Sequence, residues 1–231
     1  MKRSPRVLMR PVLGAILATL VGVIFASCTP DLRPQTTNAR RQAARRAGAW
    51  IHDPFAAWPQ LMPGTEARSF SSFDREGGNA DGFQGIFSTL YQLPSGEHVI
   101  FDALGPGVLR TLWFTGPEEG GEGLDLGLIR FYFDDERRAR LALTLRQLFC
   151  GKGPRPFRPP LVSHNAQSSG AFVSWVPLPF AKRLIITTKR EPGFYAAYYD
   201  RLPTATRIKE FNPREISKSS LRLARHLRQR R

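Results

Sequence analysis

The sequence predicts an all-β domain, an antiparallel β-sandwich of the jelly-roll type, on the basis of three observations. Eight short runs rich in β-branched and aromatic residues follow one another between Gly85 and Asp200, and this composition is typical of strands. Gly, Pro and Asp separate the runs, as turns between strands require. The sequence lacks the strand–helix alternation that builds parallel sheets.

The predicted strands are short, and the sequence marks several of the turns between them. Pro94-Ser95-Gly96 separates the first two runs, and Asp134-Asp135-Glu136 separates the fourth from the fifth. A short helix is expected over residues 145–149, and the prolines of VPLPF suit a strand end or an edge strand. In chain order the eight runs are GIFSTLYQL, EHVIFDAL, GVLRTLWFT, LGLIRFYFD, RARLALTL, GAFVSWVPL, KRLIITTK and GFYAAYYD.

The N-terminal residues 1–28 have the pattern of a secretion signal. Four Lys or Arg residues within the first ten precede fifteen uncharged residues, 12–26, which is the length of a signal-peptide core and short for a membrane span. The segment ends in FASC, which resembles the lipobox of bacterial lipoproteins and makes Cys28 the predicted lipidation site. A signal peptide cleaved by ordinary signal peptidase is the alternative.

Lipidation of Cys28 would place the protein in the bacterial cell envelope, anchored to a membrane on its periplasmic or outer-surface side. Each buried methylene adds about 0.8 kcal/mol to membrane binding, so several acyl chains would give a nearly permanent anchor. Residues 29–46 contain almost no large apolar side chain and are predicted to be a basic tether. Cys150 is the only other cysteine, and we interpret it as a small buried hydrophobe.

The distribution of charge argues against nucleic acid as a partner. The formal net charge is +15, but residues 1–46 hold nine Lys or Arg and one acid, and residues 207–231 hold nine and two. Residues 47–206 hold sixteen basic and sixteen acidic residues. The globular part is therefore neutral, and the high isoelectric point belongs to two tails.

The remaining boundaries follow from these observations. Residues 47–212 are the predicted jelly-roll domain, and residues 213–231 are a basic tail that forms a short helix or stays solvated. Leu221, Ala224 and Leu227 give it a thin apolar stripe, so a surface-associating amphipathic helix is the second possibility. The four histidines are scattered and no pair has zinc-site spacing, so no metal site is predicted.

One stretch before the strand runs, SSFDREGGNADGF at 71–83, concentrates chemistry-bearing residues. Its carboxylates could accept hydrogen bonds from the hydroxyls of a sugar, while Asn and Arg could donate to them. Phe73 or Phe83 could supply an apolar face, and Gly77-Gly78 would let the backbone turn sharply or approach a ligand. A surface loop with no ligand is the alternative that these residues leave open.

Five motifs in order resemble a known family. The sequence over about 60–211 is similar to glycoside hydrolase family 172, also called domain of unknown function 2961, and specifically to its N-terminal jelly-roll half. By this resemblance Asp74, Arg75, Asn79 and Asp81 are candidate sugar contacts beside Phe73. The motifs are SSFDREGGNADGF, ALGPGVLRTLWFT, IRFYFDDE, LRQLFCGKG and WVPLPFAKRLIITTK.

The resemblance carries expectations about fold and chemistry. Members of the family have two jelly rolls per protomer and assemble as trimers or multiples of trimers. They are retaining enzymes that act on furanosides, including fructofuranosides and D-arabinofuranosides, and they use two glutamates and no cofactor.

The sequence departs from the family at its catalytic glutamates, which lie in the second jelly roll. No matching motif occurs in this chain, so its catalytic residues stay unassigned. We expect a truncated or split furanosidase, inactive alone, whose chemistry requires a second-half polypeptide. A non-catalytic glycan-binding or structural lipoprotein is the alternative.

Overall fold

The computed structural model describes residues 63–82, 85–115 and 124–213, and all of them belong to one compact unit. The signal segment, the tether, residues 47–62 of the predicted domain, and the tail beyond residue 213 lie outside these ranges. None of the helices within the described ranges is both long and apolar enough to span a membrane.

Strands make up most of the regular structure in the described residues. The helical elements that lie wholly within the described residues are a five-residue helix, α1 (Leu145–Phe149), and a 3₁₀ turn at Asn165–Gln167. The strands are β1 (Glu66–Ser71), β2 (Tyr91–Gln92), β3 (His98–Leu104), β4 (Gly107–Thr115), β5 (Leu128–Phe133), β6 (Leu141–Thr144), β7 (Val162–Ser163), β8 (Phe172–Ser174), β9 (Leu178–Phe180), β10 (Arg183–Thr188) and β11 (Phe194–Arg201).

These strands form two antiparallel sheets that pack against each other. The first has the order β1-β11-β4-β8-β7, with β9 also paired to β4, and the second has the order β2-β3-β10-β5-β6. The prediction of an all-β, antiparallel sandwich is confirmed.

The core lies between the two sheets and is built by alternation along the strands. In β5 the residues alternate between partly exposed and buried along the whole strand, as the two-residue period of a strand requires. Aromatic rings join the sheets: the ring of Phe101 in β3 meets Phe70 of β1 at 5.2 Å and Tyr199 of β11 at 5.1 Å, both edge to face. Such pairs add stability beyond the area they bury.

The structure corrects several strand boundaries and confirms the helix. The run GIFSTLYQL contributes only the two residues of β2 to a sheet, and Ile86 within it is 60% exposed. The run GAFVSWVPL divides between β8 and β9, while β1 was missed. The helix predicted at 145–149 is present, and Thr144 and Gln147 cap it reciprocally, as a capping box does.

The sandwich has two distinct ends. At the first, here called the loop end, Ser71 pairs with Ala196 and Phe194 pairs with Thr115; it carries the loop 72–82 and the turn 189–193. At the second, here called the hairpin end, Arg201 pairs with both Glu66 and Gly107. The hairpin end carries the β5–β6 hairpin 134–140, the turn 181–182 and the segment 202–211.

Candidate functional site

The loop 72–82 begins at a fixed point on the first sheet. The backbone N–H of Ser72 donates to the carbonyl of Tyr195 at 3.1 Å, and the Ser72 hydroxyl accepts from the N–H of Tyr195 at 3.2 Å. Ser72 is 5% exposed, so these bonds are shielded from water. They continue the β1–β11 ladder by one residue and set the direction in which the loop leaves the sheet.

Asp74 organises the backbone of the loop. Its Oδ1 accepts from the N–H of Glu76 at 2.9 Å, and its Oδ2 accepts from the N–H of Ala80 at 3.2 Å. Its own N–H donates to Oδ1 of Asp81 at 2.5 Å. A β-carbon at Gly78 would lie 2.6 Å from Oδ2 of Asp74, so the loop closes tightly around this carboxylate.

Arg75 points across two aromatic rings at the surface. The central carbon of its guanidinium lies 5.5 Å from the ring centre of Phe73 and 5.7 Å from that of Phe87. Its Nη2 also donates to the carbonyl of Ser71 at 3.2 Å. Cations within about 6 Å of a ring centre are attracted by its face, so these contacts restrain an exposed cation. Phe73 itself is 54% exposed.

Tyr195 lies beneath this cluster, on the inner side of the sandwich. Its side chain is 1% exposed, and its hydroxyl makes no hydrogen bond with another described residue. Burial raises the pKa of Tyr195 to about 12, and the positive charge of Arg75 opposes this shift. The hydroxyl is therefore protonated at neutral pH.

The turn before β11 packs against the far side of the loop. Gly82 has a φ of +65°, and a β-carbon there would lie 2.9 Å from the carbonyl oxygen of Gly193. A β-carbon at Gly85 would overlap the carboxylate of Glu191. These two glycines allow the backbone to approach the turn, and Glu191 is brought to the loop end as a result.

All five predicted sugar contacts lie on this one loop, but only some of their side chains are exposed to solvent. Phe73, Arg75 and Asn79 are exposed, while the carboxylates of Asp74 and Asp81 accept bonds from loop amides. Sequence reasoning did not single out Phe87, Glu191 or Tyr195 for this site. Glu191 and Tyr195 are brought to the candidate site by the pairing of β1 with β11. These strands are far apart in sequence, so no local sequence pattern could predict that contact.

The family of the chain is given by its similarity to a known domain. A family model described as the GH172 first beta-sandwich domain matches residues 63–219, more than half of the chain. This chain belongs to the GH172 family. A search of curated proteins finds no match.

In this GH172 domain two other residue types bear on chemistry. Within the described ranges, no group of three His, Cys, Asp or Glu side chains is placed to hold a metal ion. Cys150 packs partly buried against the core, as its interpretation as a buried hydrophobe predicts. Burial raises the pKa of its thiol, and the charges of Arg146 and Lys152 oppose the shift.

The loop end of the GH172 domain brings together side chains of the kinds that can hydrogen-bond to hydroxyl groups. A restrained guanidinium, an exposed amide side chain and a half-exposed phenyl ring stand together within ten residues of sequence. Arginine and asparagine donate to sugar hydroxyls, and the free lone pairs of carboxylates accept from them. The carboxylates of Asp74 and Asp81 accept bonds from loop amides and so hold the loop.

Proposed function

We propose that this chain is a lipid-anchored glycoside hydrolase-type protein that binds furanosides at the loop 72–82. The observation that carries the proposal is the match of residues 63–219 to the GH172 first beta-sandwich domain. The geometry of the loop adds support, because the residues that resemble the family's sugar contacts share one ordered surface. The ligand class proposed is a fructofuranoside or a D-arabinofuranoside.

In the proposed complex Arg75 and Asn79 donate hydrogen bonds to ring hydroxyls, and the face of Phe73 covers the apolar side of the sugar. Asp74 and Asp81 hold the loop and accept hydroxyl bonds with their remaining lone pairs. These few contacts oppose the cost of immobilising a ligand, so the affinity of the isolated domain is expected to be about millimolar.

Catalysis is proposed to need carboxylates from a second β-sandwich polypeptide. A retaining glycosidase uses two carboxyl groups about 5 Å apart, one as nucleophile and one as acid/base. In the loop, the oxygens of Asp74 and one oxygen of Asp81 already accept backbone amides, which suits positioning better than nucleophilic attack. Assembly as a trimer, which the family resemblance implies, belongs to the same proposal.

The alternative is a non-catalytic glycan-binding module. It is favoured by the same engagement of Asp74 and Asp81, because a binding site needs a fixed loop and no free nucleophile. The two functions share the ligand and differ only in whether a partner restores turnover.

The test is an assay of the purified full chain on aryl fructofuranosides and aryl D-arabinofuranosides. Alone, the chain is expected to show no hydrolysis. Addition of a second β-sandwich polypeptide from a GH172 protein is expected to produce turnover that Arg75→Ala reduces and that Arg137→Ala, a matched exposed arginine at the hairpin end, leaves unchanged.

Two outcomes would contradict the proposal in different ways. Turnover by the chain alone would show that its own carboxylates are catalytic, and Glu76 and Glu191 would be the first to examine. Binding without turnover in every mixture would favour the non-catalytic module. The absence of any furanoside binding would contradict both the split furanosidase and the glycan-binding module.

The lipid anchor is proposed from the sequence, because Cys28 lies outside the described residues. Metabolic labelling with a palmitate analogue is expected to mark the wild type and the Cys150→Ser control, and to leave Cys28→Ser unmarked. Equal labelling of all three proteins would contradict the anchor and leave the sugar site untouched.

A further inference from the structure

Both terminal segments of the chain join the sandwich at the hairpin end. A β-carbon at Gly64 would lie 3.1 Å from the ring of Pro203, so the strand β1 is entered from this end. On the C-terminal side, the N–H of Phe211 donates to the carbonyl of Pro179 at 2.8 Å, and its ring stacks on Phe133 at 5.5 Å. Residues before 63 and after 213 are therefore tethered to the same end of the domain.

Arg140 fixes the C-terminal segment to the β5–β6 hairpin. Its guanidinium donates to Glu136, to Glu210 at 2.6 Å and to the carbonyl of Phe211 at 2.9 Å. It also lies 4.8 Å from the ring centre of Phe133. The hairpin and the segment 202–211 consequently form one surface, and two of its carboxylates are engaged with a single arginine.

The exposed charge on this surface is mainly positive. Asp134 directs its carboxylate at the backbone amides of residues 181–183, and Asp135 is the remaining acid of the hairpin. The exposed basic side chains belong to Arg137, Arg138, Lys182, Arg207 and Lys209.

The segments attached at this end add charge of the same sign. Residues 29–46 carry five arginines and one acid, and residues 214–231 carry seven Lys or Arg and one acid. Both segments belong to the chain's two basic tails, which connect to the described domain at residues 63 and 213.

The described part of the loop end lacks this excess of positive charge. Its basic side chains include those of Arg75, Arg146, Lys189 and Arg190, and Arg190 is paired with Asp125. Its described acids include Asp74, Glu76, Asp81, Asp125 and Glu191. The larger positive excess therefore lies at the hairpin end, and the candidate sugar site lies at the opposite end.

We propose that the hairpin end docks on an anionic phospholipid bilayer and holds the loop end away from it. A negatively charged leaflet attracts basic segments close to it and repels acidic ones, over a distance of about one Debye length. Leu104, at the β3–β4 turn of the same end, is 71% exposed and offers an apolar contact to the interfacial region. The sugar site then faces the solvent, where a glycan can reach it.

The proposal is independent of lipidation at Cys28, because it rests on charges of the folded domain. Without the lipid, the orientation is still set by the stronger attraction of the hairpin end.

Vesicle cosedimentation of the full chain provides the test, with phosphatidylglycerol-containing vesicles compared with pure phosphatidylcholine. Binding to phosphatidylcholine vesicles measures the membrane affinity that does not depend on headgroup charge. That affinity includes any contribution of the apolar residues 12–26. Each basic residue near an anionic surface contributes roughly a fivefold factor to partitioning. The double variant Arg137→Glu/Arg138→Glu is therefore expected to weaken binding to anionic vesicles at least about tenfold.

The matched control reverses two charges at the opposite end, with Lys189→Glu/Arg190→Glu. This variant is expected to bind both kinds of vesicle like the wild type, although its net charge changes equally. An equal loss in the two double variants would show that total charge, and not the hairpin end, sets the binding, and would overturn the proposal. Displacement of the protein from vesicles by soluble polyphosphate at matched phosphate concentration would also overturn it, in favour of an acidic polymer.

Orientation is measured separately with a single fluorescent label. In a Cys28→Ser/Cys150→Ser background, a label at Ala139→Cys is expected to be quenched by headgroup quenchers in anionic vesicles, and a label at Glu76→Cys is not. Equal quenching at the two positions would show that the loop end also touches the membrane, and the proposal would be wrong.

Discussion

Replacement of Asp74 by alanine tests whether its carboxylate holds the loop 72–82 in shape. The change removes the acceptor of two backbone N–H groups, those of Glu76 at 2.9 Å and Ala80 at 3.2 Å. Hydrogen bonds to a charged group contribute about 1.5–3 kcal/mol each, and partial exposure places these two at the low end. The ordered loop should lose about 2–3 kcal/mol, which shifts its opening equilibrium by roughly 30- to 150-fold.

Amide hydrogen exchange followed by NMR measures this opening directly. In Asp74→Ala the amides of Glu76 and Ala80 are expected to exchange faster by about that factor, because exchange through local opening follows the local free energy. The amide of Ser72, which is bound to Tyr195, should change little. Asp74→Asn keeps one carbonyl oxygen and should produce a smaller effect.

The control for Asp74→Ala is Glu76→Ala, which changes an exposed carboxylate on the same loop and leaves the two Asp74 bonds in place. If both alanine variants accelerated exchange equally, or if neither did, the assignment of Asp74 as the organiser of the loop would be wrong. The same variant connects to function, because a disordered loop should weaken furanoside binding together with its amide protection.

Three further predictions concern the fold around the site. Phe211→Ala should lower the free energy of unfolding by about 3–5 kcal/mol, measured by urea denaturation, because its ring is 1% exposed and stacked in the core; a loss below 1 kcal/mol, about the mean for any substitution, would contradict its anchoring role. Gly82→Ala should cost about 1–2 kcal/mol, since its φ of +65° is strained for an L-residue; unchanged thermal stability would contradict this strain. Asp102→Asn should destabilise the domain at pH 7, and this destabilisation should shrink as the pH falls below about 3.9. Burial raises the pKa of Asp102, but bonds from Arg183 and Tyr91 outweigh burial and hold that pKa below its usual value. The stabilisation from Asp102 is present above the unfolded pKa of about 3.9 and is lost as the pH falls through the lower folded pKa. Denaturation curves of both proteins across this range check the sign, and a difference that grows in acid would refute it.

The fold class could be predicted from the sequence because strand composition and turn residues are local signals. The run LGLIRFYFD alternates in the period of a strand, and β5 is found where it predicts. The helix at 145–149 was recognisable because a polar cap, Thr144, precedes an apolar turn.

The errors share one physical cause, which is that pairing partners distant in sequence decide whether a segment becomes a strand. Glu66–Ser71 has no apolar alternation, yet it forms β1 because β11 offers it a complete ladder. The run GIFSTLYQL has strand composition, but Ser88 is buried, with its hydroxyl donating to the carbonyl of Gly82 at 3.3 Å. That contact belongs to a folded loop and leaves only Tyr91–Gln92 in a sheet.

The sequence predicted which segment holds the candidate site, but it did not predict how the side chains are arranged within that segment. Phe73, Asp74, Arg75, Asn79 and Asp81 share a loop as the sequence indicated, but their division into exposed groups and loop-holding groups depends on backbone bonds that composition does not reveal. Their role as sugar contacts stays a prediction.

A two-dimensional NMR titration of the full chain with a methyl D-arabinofuranoside, and with a methyl fructofuranoside, tests the central claim most directly. The account predicts chemical-shift changes concentrated on the amides of residues 73–82 and on the turn 189–193, with an affinity of about millimolar. The Arg75→Ala variant should weaken them, and a matched methyl pyranoside should produce smaller changes. Shifts confined to other surfaces, or equal responses to the pyranoside, would contradict the assignment of this loop as the furanoside site.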